Sequence, residues 1–318
     1  MKTFDITAIG ELNVDLILNR IGGFPEMGKE KFAGEMLLTL GSSTAIFAAN
    51  AAALGARTAF AGMIGRDLFG SLVEESLRAK KVDTRFVVTS DACATGATIV
   101  MSYDEDRANV TYQGAMERLR LGDLDPTLFD LTRHVHISSI FMQPGLRSDL
   151  GDLLRTTQSK GITVSLDTQW DPAERWDFDY PHLLPMVDLF MPNESELLAL
   201  TRTSTLDEAI ASVRPYLGRA AIVKCGGRGS LLVPKQGAMR LLPAFLNRRV
   251  VDTIGAGDSF NSGFVYGFVQ GRPLEECQRL GTLTGAVNTT AAGGTGAFAD
   301  RETAIRTARE HFGETLDI

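Results

Sequence analysis

Two glycines and an aspartate in the segment DTIGAGDSF, residues 252–260, have the types and spacing to hold and transfer a phosphoryl group. Gly255 and Gly257 can adopt backbone angles that other residues avoid, and they let another molecule approach the main chain closely. With Ala256 between them, their N–H groups would point outward at a helix N-terminus, where the dipole favours an anion. Asp258 would repel that anion. A carboxylate makes sense there if it takes a proton from a hydroxyl that attacks the phosphoryl group.

The flanking sequence predicts the elements that position this segment. Residues 249–251 are short and β-favouring, and residues 260–270 carry apolar side chains at helical spacing, so the order is strand, glycine turn, helix. A capping Asp beside loop glycines would give the same pattern without chemistry. Alternating strands and helices continue along the chain, with strands predicted at residues 4–9, 58–65, 135–138 and 162–167 and helices at 45–54, 68–80, 145–160 and 274–291.

The stretch from Asp252 to Asp258 resembles the DTxGAGD signature of the PfkB, or ribokinase-like, carbohydrate kinases, and the resemblance extends along nearly the whole chain. It implies a three-layer α/β fold with a central, mostly parallel sheet flanked by helices, in a single domain over residues 1–318. It also implies a small β-sheet lid over the sugar, formed by insertions at about residues 12–40 and 96–115. A charged turn at residues 104–107 suits a hairpin in the second insertion. Family lids often make dimer contacts, so we expect a homodimer through the lid.

Asn13 and Asp15 follow the first predicted strand and are two residues apart, so on an extended segment both face the same side. An amide and a carboxylate placed in this way could bind vicinal hydroxyls, although a polar turn is the simpler explanation. The resembled family carries a similar N-x-D motif whose Asp binds the sugar. The resemblance therefore implies that Asp15, and with it Asn13, binds the substrate.

The segment beginning at Gly41 precedes an alanine-rich helix. In the resembled family this place usually reads as two glycines followed by Ala-Asn, and the glycines and Asn help to hold the sugar. Gly41 keeps the first glycine, while Ser42 and Ile46 stand at the positions of the second glycine and the Asn. Replacing a polar contact with an apolar one predicts a substrate different from that of an ordinary ribokinase.

Two further motifs and two single residues match positions near the nucleotide in the resembled family. Asn193 and Glu196 resemble a capping box and also the N-x-x-E motif, which helps to place magnesium through water. A match to the family's K-x-G-x-x-G loop near the nucleotide is formed by Lys224, Gly226 and Gly229, and the loop lacks the Lys-Ser/Thr of a P-loop. The resemblance implies that Asn288 lies beside the adenine. It also implies that a monovalent cation, K⁺, binds near Asp252.

Other polar residues have structural explanations. Asp67, within a family-like stretch with Gly65 and Gly70, is predicted to cap a helix. His134 and His136 alternate on one strand and are predicted to be structural. Asp167 ends a strand, where ligands gather in open α/β sheets, so it is a candidate substrate or supporting group, and Gln143 is a weaker one.

Composition narrows the function classes. The 318 residues have a formal net charge of −7 and no long basic run, which argues against a nucleic-acid partner. No apolar run could span a bilayer, residues 1–10 do not resemble a signal peptide, and the three cysteines form no metal or disulfide pattern. We expect a cytoplasmic protein.

These observations predict an ATP- and Mg²⁺-dependent kinase that phosphorylates a hydroxymethyl oxygen of a sugar or sugar acid, with Asp258 as general base. A nucleoside kinase of the same family is the alternative, because Ile46 makes the substrate pocket less polar. A non-catalytic sugar or nucleotide sensor is a third hypothesis. The intact Gly255, Gly257 and Asp258 argue against it, because a sensor does not need the base.

Overall fold

The computed structural model describes residues 2–103 and 106–318. Within them, strands alternate with helices along most of the chain. The strands are β1 (Phe4–Ile9), β2 (Asn13–Ile21), β3 (Ala33–Leu40), β4 (Thr58–Gly65), β5 (Asp83–Ser90), β6 (Gly96–Tyr103), β7 (Asp106–Tyr112), β8 (Thr132–Ser138), β9 (Thr163–Asp167), β10 (Leu189–Phe190), β11 (Ala220–Lys224), β12 (Ser230–Pro234) and β13 (Arg240–Leu242). The α-helices are α1 (Ser43–Ala53), α2 (Leu68–Ala79), α3 (Leu128–Leu131), α4 (Pro144–Ser148), α5 (Leu150–Ser159), α6 (Tyr180–Leu183), α7 (Glu194–Thr201), α8 (Leu206–Val213), α9 (Ala256–Val269), α10 (Leu274–Asn288) and α11 (Arg301–Phe312).

Nine strands form one large sheet in the order β13-β12-β11-β10-β9-β8-β1-β4-β5. Its pairs are parallel from β11 to β5, and only β12 and β13 run antiparallel to their neighbours. Parallel strands need helical crossovers, and these helices cover both faces of the sheet. The predicted mostly parallel sheet flanked by helices is confirmed.

The buried apolar side chains form two clusters, one on each face of the large sheet. Along β8, Val135 and Ile137 pack into the cluster that includes residues of α5, α7 and α8. The other cluster contains most of the buried face of α9, with Phe260, Phe264 and Val265, together with residues of α1, α10 and α11. Alternation along the strands therefore produces two cores with the sheet between them.

His134 and His136 occupy the α9 face of the same strand and are fully buried. Both rings hydrogen-bond to the Ser165 hydroxyl, at 2.8 and 2.7 Å, and the His136 ring stacks on Phe47 with centroids 3.6 Å apart. Burial lowers the pKa of His134 to about 3 and holds that of His136 well below its ordinary value. The predicted structural role of this pair is confirmed.

Four strands form a second, smaller sheet in the order β3-β2-β6-β7, and we call this sheet the lid. Its strands come from the two predicted insertions. Strand β6 runs parallel to β2 and pairs antiparallel with β7. The predicted hairpin turn at residues 104–107 lies partly outside the described residues. One set of lid side chains is apolar and exposed, including Met36 at 70%, Val110 at 59% and Tyr112 at 59%.

Three element predictions differ from the structure. Residues 249–251 do not form the strand that was predicted before the glycine turn, and Val250 and Val251 are 55% and 57% exposed. Their β-propensity has no neighbouring strand to pair with, and propensity alone does not make a strand. The helix predicted over residues 145–160 is divided into α4 and α5 at Asp149, and the one predicted over 274–291 ends at Asn288.

Candidate active site

Helix α9 begins in the segment that the sequence singled out, and its first turn has unpaired amides. Gly255 is the N-cap and adopts a left-handed conformation, with φ of 73°. Within the described residues, the N–H groups of Gly255, Gly257 and Asp258 have no hydrogen-bond acceptor, whereas the N–H of Ala256 donates to Thr253 O at 3.2 Å. The amides without an acceptor are therefore those of residues 255, 257 and 258, whereas the sequence predicted those of 255, 256 and 257. The turn uses the Ala256 amide, and the amide of Asp258 itself is free for an anion.

Close packing explains why residue 255 is a glycine. A Cβ atom added to Gly255 would lie 2.6 Å from Gly294 Cα and 3.2 Å from Ile46 Cγ2. The Ile46 side chain is buried, and it also fills the space where Gly294 would carry a Cβ. The structure thus places Ile46 beneath the glycine turn. Its predicted contact with substrate is untested.

Asp258 is 6% exposed, and its Oδ1 accepts a hydrogen bond from Gln169 Nε2 at 3.1 Å. Burial, with the nearby carboxylates of Asp167 and Glu11, raises the pKa of Asp258 well above its ordinary value, while Lys224 and Ser43 act in the opposite direction. The dipole at the start of α9 favours the ionised carboxylate, but desolvation outweighs it at this buried site in the protein alone.

Asp167, at the end of β9, is fully buried and accepts from several donors. Its Oδ2 forms an ion pair with Lys224 Nζ and accepts a hydrogen bond from Asn261 Nδ2 at 2.6 Å. Burial lowers the pKa of Lys224, but the charges of Asp167 and Glu196 outweigh it, so the net shift is upward and the ammonium is retained. A Cβ on Gly257 would lie 3.6 Å from Lys224 Nζ, so this cation lies beside the free amides. We call residues 255–258 with Asp167 and Lys224 the phosphoryl end.

Asn193 and Glu196 form the predicted capping box at the start of α7. Asn193 Oδ1 accepts from the Glu196 N–H, and Glu196 Oε2 accepts from the Asn193 N–H, both at 2.8 Å. Burial and the charge of Asp167 raise the pKa of Glu196 to about 7, which Lys224 partly offsets. A buried carboxylate whose ionised form lacks a full counter-charge suits a cation nearby. Glu196 Oε1 has no hydrogen-bond donor among the described residues, and it is the atom that could bind the cation through water.

The remaining predicted nucleotide residues shape loops near this end. Gly226 adopts φ of 55°, and a Cβ there would meet nothing within 4 Å, so the loop faces open space. Gly229, with φ of 104°, lies against the main chain: an added Cβ would be 1.9 Å from Leu242 O. Asn288 is fully buried, accepting from Ser259 Oγ at 2.9 Å and donating to Ile254 O at 2.7 Å. In the described structure Asn288 thus supports the glycine turn from behind.

Asp252 joins two loops. Its Oδ1 accepts from the Ile254 N–H at 2.9 Å and its Oδ2 from the Gly293 N–H at 2.8 Å. Both carboxylate oxygens are thus hydrogen-bonded to the main chain. They fix the segment before α9 against the loop that contains Gly294.

Three residues at the base of the lid form a cluster that we call the sugar end, after the role that the resemblance implies for Asp15. Asn13 Nδ2 donates to Asp15 Oδ1 at 3.0 Å, so the two side chains share one side of β2 as predicted. A Cβ on Gly41 would lie 2.3 Å from Asp15 Oδ1 and 2.8 Å from Asn13 Nδ2. Burial raises the pKa of Asp15 to about 6, against the hydrogen bond from Asn13. Only a glycine leaves room for both polar groups.

Ser42 has the backbone conformation of a glycine. Its φ is 70°, in the region that favours glycine, and it caps α1 by accepting from the Ala45 N–H at 3.0 Å. Its hydroxyl also donates to Glu11 O at 2.6 Å. Since these bonds occupy the side chain, Ser42 keeps the turn that a glycine would form and adds a cap.

A short segment of the chain, residues 41–43, lies near both ends. The backbone of Gly41 lies against Asp15, and the side chain of Ser43 interacts with the Asp258 carboxylate. Residues two apart lie at most about 7 Å from each other along an extended chain. Segment 41–43 therefore reaches from the surroundings of Asp15 to those of Asp258.

Sequence reasoning missed Gln169, Asn261 and Glu11. Asn261 and Glu11 are 0% and 4% exposed, and Glu11 accepts from the Thr44 N–H at 3.2 Å and from Gln143 Nε2 at 3.4 Å. Gln143, a weak candidate, thus supports a carboxylate. Asn261 lies three positions past the recognised motif and so neighbours Asp258 on the surface of α9, which was a signal that could have found it. Gln169 is held by tertiary structure and gave no local signal.

Comparison with known proteins identifies the family. The family model described as pfkB family carbohydrate kinase matches residues 3–300. The chain belongs to this family. A sugar kinase of Archaeoglobus fulgidus, described as uncharacterized, is 29% identical over 73% of this chain and 91% of its own. A ribokinase of Haemophilus influenzae is 26% identical over 93% and 96%, and a cytidine kinase of Thermococcus kodakarensis is 26% identical over 87% and 93%.

Solved structures show the same fold. Arabidopsis thaliana ribokinase, complexed with ribose and ATP, superposes with a TM-score of 0.82 at 24% identity, over 97% of this chain and 99% of that one. A putative ribokinase II of Escherichia coli, in complex with ATP and Mg²⁺, gives a TM-score of 0.83 at 21% identity, over 98% and 100%. With the family match, the ribokinase-like fold and the assignment as a carbohydrate kinase are established. In the described residues, no helix has the length and apolarity to cross a membrane.

Proposed function

We propose that this PfkB-family kinase transfers the γ-phosphoryl group of ATP to a hydroxymethyl oxygen of a sugar or sugar acid, with Asp258 as the general base. The observation that supports this most strongly is the position of Asp258. It lies at the start of α9 beside three N–H groups that have no acceptor within the described residues, and segment 41–43 reaches from its surroundings to those of Asp15. Donors placed where charge develops, with a base beside the acceptor, are the requirements for phosphoryl transfer.

The residues present fit a nucleotide and its metal. Three free amides and Lys224 supply positive potential for phosphates, and the open side of Gly226 leaves space for the rest of the nucleotide. Glu196 would hold Mg²⁺ through water. The ion would neutralise phosphate charge, as is usual where magnesium binds one or two carboxylates together with substrate phosphates.

Each residue has a defined task in this proposal. Asp15 and Asn13 orient the substrate by accepting from and donating to its hydroxyls. Asp258 accepts the proton of the attacking hydroxyl, and the Gly255, Gly257 and Asp258 N–H groups stabilise the transferred group. Lys224 keeps Asp167 neutralised and adds positive charge beside those amides. The raised pKa of Asp258 makes it a stronger base once it is ionised, and the charge of Lys224 favours that ionised form.

The experiment that tests the function is a release assay for ADP over a panel of acceptors. The panel contains pentoses, ketohexoses, sugar acids and nucleosides, each with ATP and Mg²⁺. We expect turnover with at least one sugar or sugar acid, and a product phosphorylated at the hydroxymethyl oxygen by NMR. Turnover with nucleosides alone would establish the alternative, which the cytidine kinase relative supports. No acceptor-dependent ADP from any compound would contradict kinase activity.

A monovalent cation and a dimer are further parts of the proposal. K⁺ would bind near Asp252, and equal rates in potassium and in a bulky organic cation would contradict it. The exposed apolar side chains of the lid, such as Met36, suit a second copy of the chain. We expect a dimer by light scattering, and we expect Met36→Asp to yield monomers while Met239→Asp, at a 44% exposed site elsewhere, does not. A monomeric wild-type protein would contradict the lid dimer.

A further inference from the structure

Gln169 adopts a backbone conformation that a side chain of its type seldom adopts. Its φ is 58°, in the left-handed region. For a residue other than Gly, Asn or Asp this conformation is unfavourable and persists only where the surroundings enforce it. Backbone strain of this kind is concentrated at functional sites. The contacts of the Gln169 side chain therefore indicate whether the residue has a functional role.

The loop after β9 enforces the conformation. Glu174 and Trp176 also have positive φ, at 50° and 51°. The Asp171 carboxylate accepts from the N–H groups of Ala173, Arg175 and Trp176 at 2.9, 2.9 and 2.8 Å. One buried carboxylate thus fixes the turn, and the turn holds Gln169 at the end of β9.

The Gln169 amide lies between the two carboxylates of the phosphoryl end. Its Nε2 donates to Asp258 Oδ1 at 3.1 Å and to Asp167 Oδ2 at 3.2 Å, and its backbone N–H donates to Asp167 Oδ1 at 3.3 Å. Among the described residues, no other side chain hydrogen-bonds to both carboxylates. A primary amide has two N–H hydrogens, so it can serve both acceptors at once.

We propose that Gln169 is a positioning residue for phosphoryl transfer, which holds Asp258 by Oδ1 so that Oδ2 faces the attacking hydroxyl. The inference rests on the proposed function of Asp258. It explains why the chain keeps a strained glutamine beside two acids. A rotating carboxylate would spend part of its time with neither oxygen in reach of the hydroxyl, and correct placement of a base contributes directly to the rate.

The proposal also predicts a pH effect. Asp258 faces Asp167 on β9, Lys224 on β11 and Glu11 after β1, and Glu196 on α7 acts on the same cluster through Asp167 and Lys224. The Gln169 N–H donates to the ionised form of Asp258 and so favours it. When this donor is removed, the pKa of Asp258 rises further, and the rise of activity with pH moves to higher pH. A purely structural residue would leave the pH at which activity rises unchanged.

The experiment compares Gln169→Asn and Gln169→Gly with Glu174→Asn and Glu174→Gly. All four remove a strained long side chain from the same loop, because Asn and Gly tolerate left-handed φ. Glu174 is exposed, and its side chain has no hydrogen bond within the described residues. Kcat, KM, melting temperature and the pH dependence of kcat are measured for each variant with the accepted substrate.

We expect both Gln169 variants to lose about 10–100-fold in kcat, the range for a hydrogen bond to a charged group. The KM for ATP should stay within a few-fold of wild type, and the melting temperature should be equal or higher. In the same variants, the rise of kcat with pH should move to higher pH. The Glu174 variants should change the melting temperature as the Gln169 variants do, but they should keep the kcat of wild type. Wild-type kcat in Gln169→Asn, or a loss of kcat without the pH shift, would overturn the proposal.

A titration separates this inference from the proposed function. The carboxyl ¹³C signal of Asp258, assigned by its loss in Asp258→Asn, is followed against pH without substrate. We expect it to titrate at higher pH in Gln169→Asn than in wild type. If no acceptor is phosphorylated but the shift is seen, the kinase proposal fails and the hydrogen bond from Gln169 to Asp258 stands. An unchanged titration would overturn the inference whatever the protein phosphorylates.

Discussion

The phosphoryl end and the sugar end differ in how the chain builds them. At the phosphoryl end, buried groups from α9, β9 and β11 are fixed by packing and by hydrogen bonds, and Asp258 and Asp167 are 6% and 0% exposed. At the sugar end, Asn13, Asp15 and Gly41 lie at the base of a small sheet whose far side is exposed. In the proposed function, the chemistry is therefore carried out where the structure is most constrained, and the lid residues select the substrate.

The largest expected effect is at the phosphoryl end. Asp258→Asn should lower kcat by about 10²–10⁴, because the amide cannot accept the hydroxyl proton. Affinity for ATP, measured by calorimetry, should change by less than a few-fold, since the N–H groups of the turn remain. Asp300→Asn is the control: Asp300 caps α11 by accepting from the Thr303 N–H at 2.7 Å. If Asp258 were also only a cap, the two variants would behave alike.

Gly255→Ala should be next, with a loss of kcat of about 10²–10³, the cost of misplacing a donor to the transferred group. The added Cβ would press on Gly294 Cα, 2.6 Å away, and displace the turn. Gly293→Ala is closely matched, because Gly293 also has φ of 73° but an added Cβ meets nothing within 4 Å. Comparable losses of kcat in both variants would show that backbone strain, rather than the position of the turn, decides the rate.

At the sugar end, Gly41→Ala should raise the KM for the sugar at least about tenfold, since its Cβ would fall 2.3 Å from Asp15 Oδ1 and a hydrogen bond to a charged group would be lost. The KM for ATP should not change. Gly22→Ala, next to the lid strand β2 and with nothing within 4 Å of an added Cβ, should have neither effect. A change in the KM for ATP equal to that for the sugar would contradict the division of the site into two ends.

The smallest expected effect is the pH dependence of the sugar end. Burial raises the pKa of Asp15 from 3.8 to about 6, so its ionisation costs folding stability, and that cost develops as pH rises from about 4 through 6. Asp15→Asn should therefore gain stability relative to wild type over this interval. In wild type the KM for the sugar should fall as pH passes 6, because the ionised carboxylate is the better acceptor. Parallel pH profiles in wild type and variant would refute this role.

Much of the phosphoryl end could be predicted from the sequence because its signals are local. The spacing of Gly255, Gly257 and Asp258 and the capping box of Asn193 and Glu196 each lie within a few residues. The free amides are a consequence of where α9 begins. The raised pKa of Asp258 was not predictable, since it depends on burial beside Asp167, which lies 91 positions earlier in the chain.

Predictions failed where tertiary contacts decide the outcome. Residues 249–251 have strand-forming side chains but no partner strand. The predicted contact of Ile46 with the substrate stays a prediction, and its side chain packs beside Gly294. Gln169 reaches Asp258 from another element, and no spacing along the chain indicates this.

The most direct test of the central claim is a crystal structure with the accepted sugar and a non-hydrolysable ATP analogue. We predict the Asp258 carboxylate within hydrogen-bond reach of the hydroxymethyl oxygen, at about 2.6–3.2 Å. We also predict the γ-phosphate on the N–H groups of Gly255, Gly257 and Asp258, at about 2.7–3.1 Å. A γ-phosphate bound away from these amides, or a hydroxymethyl group that contacts a different base, would contradict the account.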